Sequence, residues 1–210
     1  MSANRCDIAV GRSLELVAEY IGTVLNSILF HRGVYPTEYF AHVPCRLVKS
    51  DPAARIRKQP TTPVLEQEEG KTYMRNVLGD ILDLLSASQL SSVAVQVVDD
   101  EEAVIESWCI DVNTDVDEIR RAESRGKAYS FKSGESTIEE CQVALQQLVE
   151  TVMYLPPDPS ACSFRIFVRS VDVPNGEWVE EASPLPEDTK EVCLKPIATS
   201  FTTVSVALTI

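Results

Sequence analysis

The chain has 210 residues, 44% of them hydrophobic and 24% charged, which is enough for one well-buried core and short for two domains. Nineteen basic against thirty-two acidic residues leave a formal charge of −13, so direct nucleic-acid or anionic-membrane binding is not expected. No apolar run is read as reaching the roughly 20 residues that span a bilayer, no signal-peptide h-region follows the N-terminus, and the six cysteines show no C-x-x-C pairs, which predicts an intracellular protein with reduced thiols.

Residues 13–40 open with one long apolar helix. Leu14, Val17, Ile21, Val24 and Ile28 recur at steps of three and four, and Leu16, Tyr20, Leu25, Leu29 and Phe30 widen the apolar face, as in a helix at the centre of a domain. Ser13 is the expected N-cap, Gly33 sits where a left-handed C-cap falls, and Pro36 prevents the helix from resuming. Residues 41–71 read as a long exposed connection with Pro44, Pro52, Pro60 and Pro63, holding at most a short strand near 63–66. An amphipathic helix is predicted over 71–86, with Met74, Val77, Leu78, Ile81, Leu82 and Leu85 at helical spacing.

Residues 92–98 and 103–112 are β-rich, the second run placing Val104, Trp108, Ile110 and Val112 on one face, and the acidic tip 99–102 joins them as a hairpin. Residues 115–125 are polar and 126–134 read as a flexible loop. Ser136 and Glu139 then present a capping box ahead of a third long helix with Ile138, Cys141, Leu145, Leu148 and Val152, ending at Pro156 and Pro157. Residues 162–173 alternate cleanly, Phe164, Ile166 and Val168 against Arg165, Phe167 and Arg169, and predict a half-buried strand. From Pro174 on, Asn175-Gly176, Pro184 and Pro186 break the pattern before two β-capable pieces at 191–194 and 200–210.

Constellations that could carry chemistry are few. His31 and His42 lack metal-ligand spacing, and His31 suits the carbonyls of a helix end. The run Asp111, Asn113, Asp115, Asp117 begins like a calcium loop but lacks its glycine and terminal glutamate. Gly126-Lys127 lacks the upstream glycine of a phosphate loop, and eight glycines in the whole chain leave little material for cradling phosphates. No catalytic residue, metal site or cofactor is assigned, and the protein is expected not to be an enzyme.

Asn26-Ser27-Ile28-Leu29-Phe30-His31-Arg32-Gly33-Val34-Tyr35-Pro36 resembles the end of the first helix in the HORMA family, most of all in its spindle-checkpoint branch. Further collinear blocks lie at 150–156, 160–164, 173–181, 191–194 and 200–203. The resemblance implies an α+β fold: three helices packed on a mainly antiparallel sheet, with a mobile C-terminal safety belt. It implies one HORMA domain over 1–210, with the core at about 12–172 and the belt at about 173–210. In the family the belt holds one sheet edge in an open state and crosses to the other side in a closed state, trapping a short partner peptide. The partner-peptide site would then comprise Phe164, Ile166 and Val168 of an edge strand and Trp178, Ser200, Phe201, Thr202 and Thr203 of the belt.

The family pairs an open with a closed copy through an Arg followed by Gln on the third helix. Gln146 and Gln147 stand there, with Tyr154 for the aromatic that follows, and loss of a bidentate donor predicts weak pairing. By the same resemblance the partners are peptide motifs of the checkpoint protein mitotic arrest deficient one and of the anaphase-promoting complex coactivator, with an AAA+ remodelling ATPase. The address is nucleus and cytoplasm, with the kinetochore in mitosis. The rival reading is an adaptor in DNA repair or translesion synthesis, like the polymerase zeta accessory subunit, which shares the Tyr-Pro corner but is less similar around Trp178 and at 200–203.

Overall fold

The computed structural model describes residues 5–45, 47, 61–125, 129–156, 162–171 and 190–210. Its centre is α1, Arg5–His31, whose Val17, Tyr20, Ile21, Val24, Leu25, Ile28 and Leu29 are all buried. The helix starts eight residues before the cap expected at Ser13, which instead lies buried within it. Its end is as the glycine predicts: Gly33 has φ +66°, the Gly33 N–H reaches the Phe30 carbonyl and the Val34 N–H reaches the Leu29 carbonyl, each at 3.2 Å. Over Ala9–His31 this helix is, contrary to the sequence reading, long and apolar enough to cross a membrane, but most of it is buried inside the fold, as a core helix should be.

Two strands cover one flank of α1. β1, Phe40–Pro44, pairs antiparallel with β2, Thr61–Leu65, and Leu65 is buried. Asn26, buried within the helix, accepts the Leu65 N–H on its Oδ1 at 3.0 Å and donates from Nδ2 to the Gly22 carbonyl at 2.8 Å, so its polar atoms are spent fixing the hairpin. The connection predicted to be exposed therefore has structured ends, and Cys45 and Leu47 are buried too.

The remaining helices are α2, Glu68–Ser86, α3, Val116–Arg125, and α4, Gly134–Tyr154. α3 replaces the polar stretch seen in the sequence: the Asp115 carboxylate accepts the Glu118 N–H at 2.8 Å, capping a short helix that buries only Ala122. Among the described residues the three expected helices are thus four. α4 starts earlier than its expected capping box, because Ser133 Oγ accepts the Ser136 N–H at 3.2 Å.

The main sheet contains β3, Leu90–Val98, β4, Val104–Thr114, β5, Ser163–Ser170, β6, Glu191–Cys193, β7, Ile197–Ala198, and β8, Thr202–Thr209. Its order is β5-β3-β4-β8-β6, with β7 also on β8, and every ladder is antiparallel. The register aligns Ile166, Val95, Trp108 and Leu208 across four strands, and Val168, Val93, Ile110 and Val206 in the next row. These rows form the sheet's contribution to the core beneath α1.

One charge lies inside that face. Glu106 follows the same two-residue period as Trp108 and is 2% exposed. Arg32, 7% exposed and one residue before Gly33, answers it with Nε 3.0 Å from Glu106 Oε2 and Nη2 against Oε1. Trp108 donates its indole N–H to Glu106 at 3.2 Å, and Arg32 Nη2 reaches the Pro156 carbonyl at 3.0 Å. The bidentate pair ties the end of α1 to β4 and to the exit of α4.

Candidate functional site: the open edge and the C-terminal hairpin

β5 is an edge strand: β3 takes one side and, among the described residues, no strand takes the other. Phe164, Ile166 and Val168 turn inward and are half-buried against the core, so the strand offers a partner its backbone rather than these side chains. A backbone hydrogen bond at Ile166 reaches the Tyr73 phenol of α2. The Ile166 N–H therefore faces away from β3, and at the two-residue period so do those of Phe164 and Val168.

Beside this edge is an open groove of about 440 Å³ lined by Tyr35, Glu69, Gly70, Tyr73 and residues 164–167. Phe164 stands edge-on to both tyrosines, with ring centroids 5.8 Å from Tyr35 and 5.7 Å from Tyr73. Burial first, then the charge of Glu69, raises the Tyr35 phenol pKa, and burial raises that of Tyr73 against its Ile166 hydrogen bond. Both phenols stay protonated donors at neutral pH. The surface suits an extended peptide: outward-facing backbone groups along one line, of which the Ile166 N–H is held by Tyr73, and an aromatic recess for an alternate side chain.

The belt residues lie elsewhere. Ser200 and Phe201 form the turn before β8, Thr202 is buried, Thr203 is exposed, and β8 pairs with β4, so two strands, β3 and β4, separate this group from β5. The structure does not bring the two predicted sets together. Trp178 lies outside the described residues. The tail, though it closes soon after Thr203, completes a hairpin: Glu191, Val192 and Cys193 pair with Thr209, Leu208 and Ala207. The chain thus leaves one edge of the sheet at β5 and returns at the opposite edge as β6.

On α4, Gln146 is exposed and donates to Glu150 at 2.8 Å, and Tyr154 is 90% exposed beside Met153 at 77%. Gln147 instead turns to the hairpin, its Oε1 accepting the Lys195 N–H at 2.8 Å. Sequence reasoning missed the groove tyrosines Tyr35 and Tyr73; the first belongs to the Tyr-Pro corner itself, and the second shares the early turns of an amphipathic helix. Among the described residues no cluster of His, Cys, Asp and Glu is arranged to hold a metal. The acidic tip is a turn in which Asp99 Oδ1 accepts the Glu101 and Ala103 N–H groups at 3.0 and 2.8 Å.

The HORMA domain profile matches residues 13–178. The chain belongs to the HORMA family. This HORMA protein is 26% identical over 205 residues to the mitotic spindle checkpoint protein MAD2 of Zea mays, the match covering 95% of this chain and 89% of the relative. It is equally identical over 199 residues to the mitotic spindle assembly checkpoint protein MAD2A of Homo sapiens, covering 92% and 88%. A chain in the crystal structure of the mitotic checkpoint complex superposes with a TM-score of 0.71 at 25% identity, covering 94% of this chain and 98% of that one. C. elegans HTP-2 bound to the HIM-3 closure motif superposes with a TM-score of 0.70 over 95% and 90% of the two chains, and at 13% identity shows the shared fold alone. The protein is thus a MAD2-like HORMA protein over most of its length.

Proposed function

We propose that this HORMA protein is a non-enzymatic spindle-checkpoint adaptor that adds a partner's peptide to β5 as a further strand and holds it with its C-terminal belt. One observation carries this reading: among the described residues no strand pairs with the outer side of β5, which runs beside an aromatic groove, while the C-terminal hairpin occupies the far edge of the same sheet. That is the arrangement expected of the family's closed state. The checkpoint names of the relatives and the likeness to a chain of the mitotic checkpoint complex support it. The partner motifs would come from mitotic arrest deficient one and from the anaphase-promoting complex coactivator, contributing to the coactivator's inhibition, and an AAA+ ATPase would reopen the belt. The protein would act in nucleus and cytoplasm and at kinetochores during mitosis.

The test is affinity capture with mass spectrometry from mitotic cells, comparing wild type with Tyr73→Ala. Tyr73 is 40% exposed, so its truncation spares the core while emptying the groove. Checkpoint and anaphase-promoting complex components are expected with wild type, at least about tenfold depleted with the variant. Recovery of translesion polymerase subunits instead would move the protein to the repair branch.

A further inference from the structure

The turn that joins β7 to β8 is gripped by four parts of the chain remote from it in sequence. Lys132 donates its backbone N–H to Ser200 Oγ at 2.8 Å, while its Nζ lies 2.7 Å from Glu140 and 2.5 Å from the Ala198 carbonyl. Glu140 completes the ring by accepting the Ala198 N–H at 2.9 Å. Ser13 of α1 donates to Thr199 Oγ1 at 2.6 Å, and the Asp115 N–H at the start of α3 reaches the Phe201 carbonyl at 2.7 Å.

Phe201, 3% exposed, is the apolar part of the same attachment. It lies parallel to Tyr129 at 6.2 Å and edge-on to Phe131 at 5.9 Å, over Ala122 and beside Ala9 and Val10. This cluster is separate from the main core, to which β8 contributes Val204, Val206 and Leu208. The tip is thus attached at a site of its own.

We propose that Lys132 and Glu140, with the Tyr129 and Phe131 rings, form an intramolecular docking site for the 198–201 turn, a latch that sets how readily the C-terminal hairpin leaves β4. It rests on the reading of this hairpin as the segment that relocates. The geometry fits a latch better than general core packing. Its bonds converge on two peptide groups and one side chain of the turn, and it can open while the main core stays closed. The Lys132 and Glu140 side chains are only 25% and 30% exposed, so their bonds to the turn are shielded from competing water.

Native-state hydrogen exchange on the full chain, without any peptide, tests this. In Lys132→Met the amides of Thr203, Ser205 and Ala207, which face β4, are expected to exchange roughly tenfold faster, as loss of charge-assisted bonds implies, while those of Val17, Ile21 and Leu25 keep their wild-type rates. Ser200→Ala, a milder change, should speed the β8 amides about threefold in the same selective way. Equal acceleration of β8 and α1 would make Lys132 a contributor to global stability only, and unchanged β8 rates would remove its role altogether; either overturns the latch. Because no peptide is needed, failure here leaves peptide capture standing, and an empty affinity capture leaves the exchange result intact.

Discussion

Replacing Glu106 by Gln would remove the carboxylate that pairs with the Arg32 guanidinium beneath the sheet. Burying an ion pair is close to neutral overall, but removing one partner of a buried pair typically costs about 3–5 kcal/mol, because the remaining charge keeps its desolvation penalty. Trp108 adds to the loss, since its indole N–H donates to the same carboxylate. Urea unfolding of Glu106→Gln should therefore show a destabilisation of about 3 kcal/mol. The double variant Arg32→Met with Glu106→Gln should recover part of that loss, since the guanidinium is then gone as well. The alternation of β4 already points residue 106 inward. A reader of the sequence discounts it because it is charged, and the answering arginine lies 74 positions earlier in the Arg-Gly corner.

Among the elements, the latch between α4 and the β7–β8 turn carries a pH dependence. Burial pulls the Glu140 carboxyl pKa upward, but hydrogen bonds from Lys132 and the Ala198 N–H, with the Lys132 charge, outweigh it and hold the group below the ordinary carboxylate value of 4.5. A depressed folded value means stability that is present above 4.5 and lost as pH falls through the folded value. The stability gap between wild type and Glu140→Gln should be about 1 kcal/mol at neutral pH and close progressively in acid, measured by denaturant titration across that range. The strand of this latch and its helix were both legible: β8 from its β-branched run, α4 from Cys141, Leu145, Leu148 and Val152 at helical spacing. α3 was not, since Ile119 and Ala122 are its only inward apolar positions, although Asp115 with Glu118 three residues on is a capping signal. β1 was hidden by its brevity and its terminal proline. Which edge β8 would join is a long-range choice among similar apolar ladders, and no local pattern encodes it.

For the molecule as a whole, the decisive question is whether β8 must leave β4 for a peptide to enter beneath the belt. The register answers with a lock: Ala207 lies opposite Cys109 on β4 and opposite Cys193 on β6. In a Cys193→Ser background, Ala207→Cys sets one new thiol across from Cys109 alone. Directly opposed residues of antiparallel strands bring their Cβ atoms to about 4.5–5.5 Å, near enough to close a disulfide after a small adjustment. Burial and the charge and hydrogen bond of Asp111 push the Cys109 thiol up to about 11, so closure needs alkaline conditions or a strong oxidant, and the reduced variant should behave as wild type at neutral pH. Once oxidised, the hairpin is fastened to β4. Peptide bound beforehand should then stay bound through extensive dilution, fresh peptide should fail to enter, and reductant should restore both, as followed by fluorescence anisotropy with a labelled closure peptide identified from the affinity capture. Wild-type exchange by the oxidised protein would mean that peptides reach β5 without any departure of β8, and that Lys195 and the rest of the hairpin are fixed architecture rather than a belt.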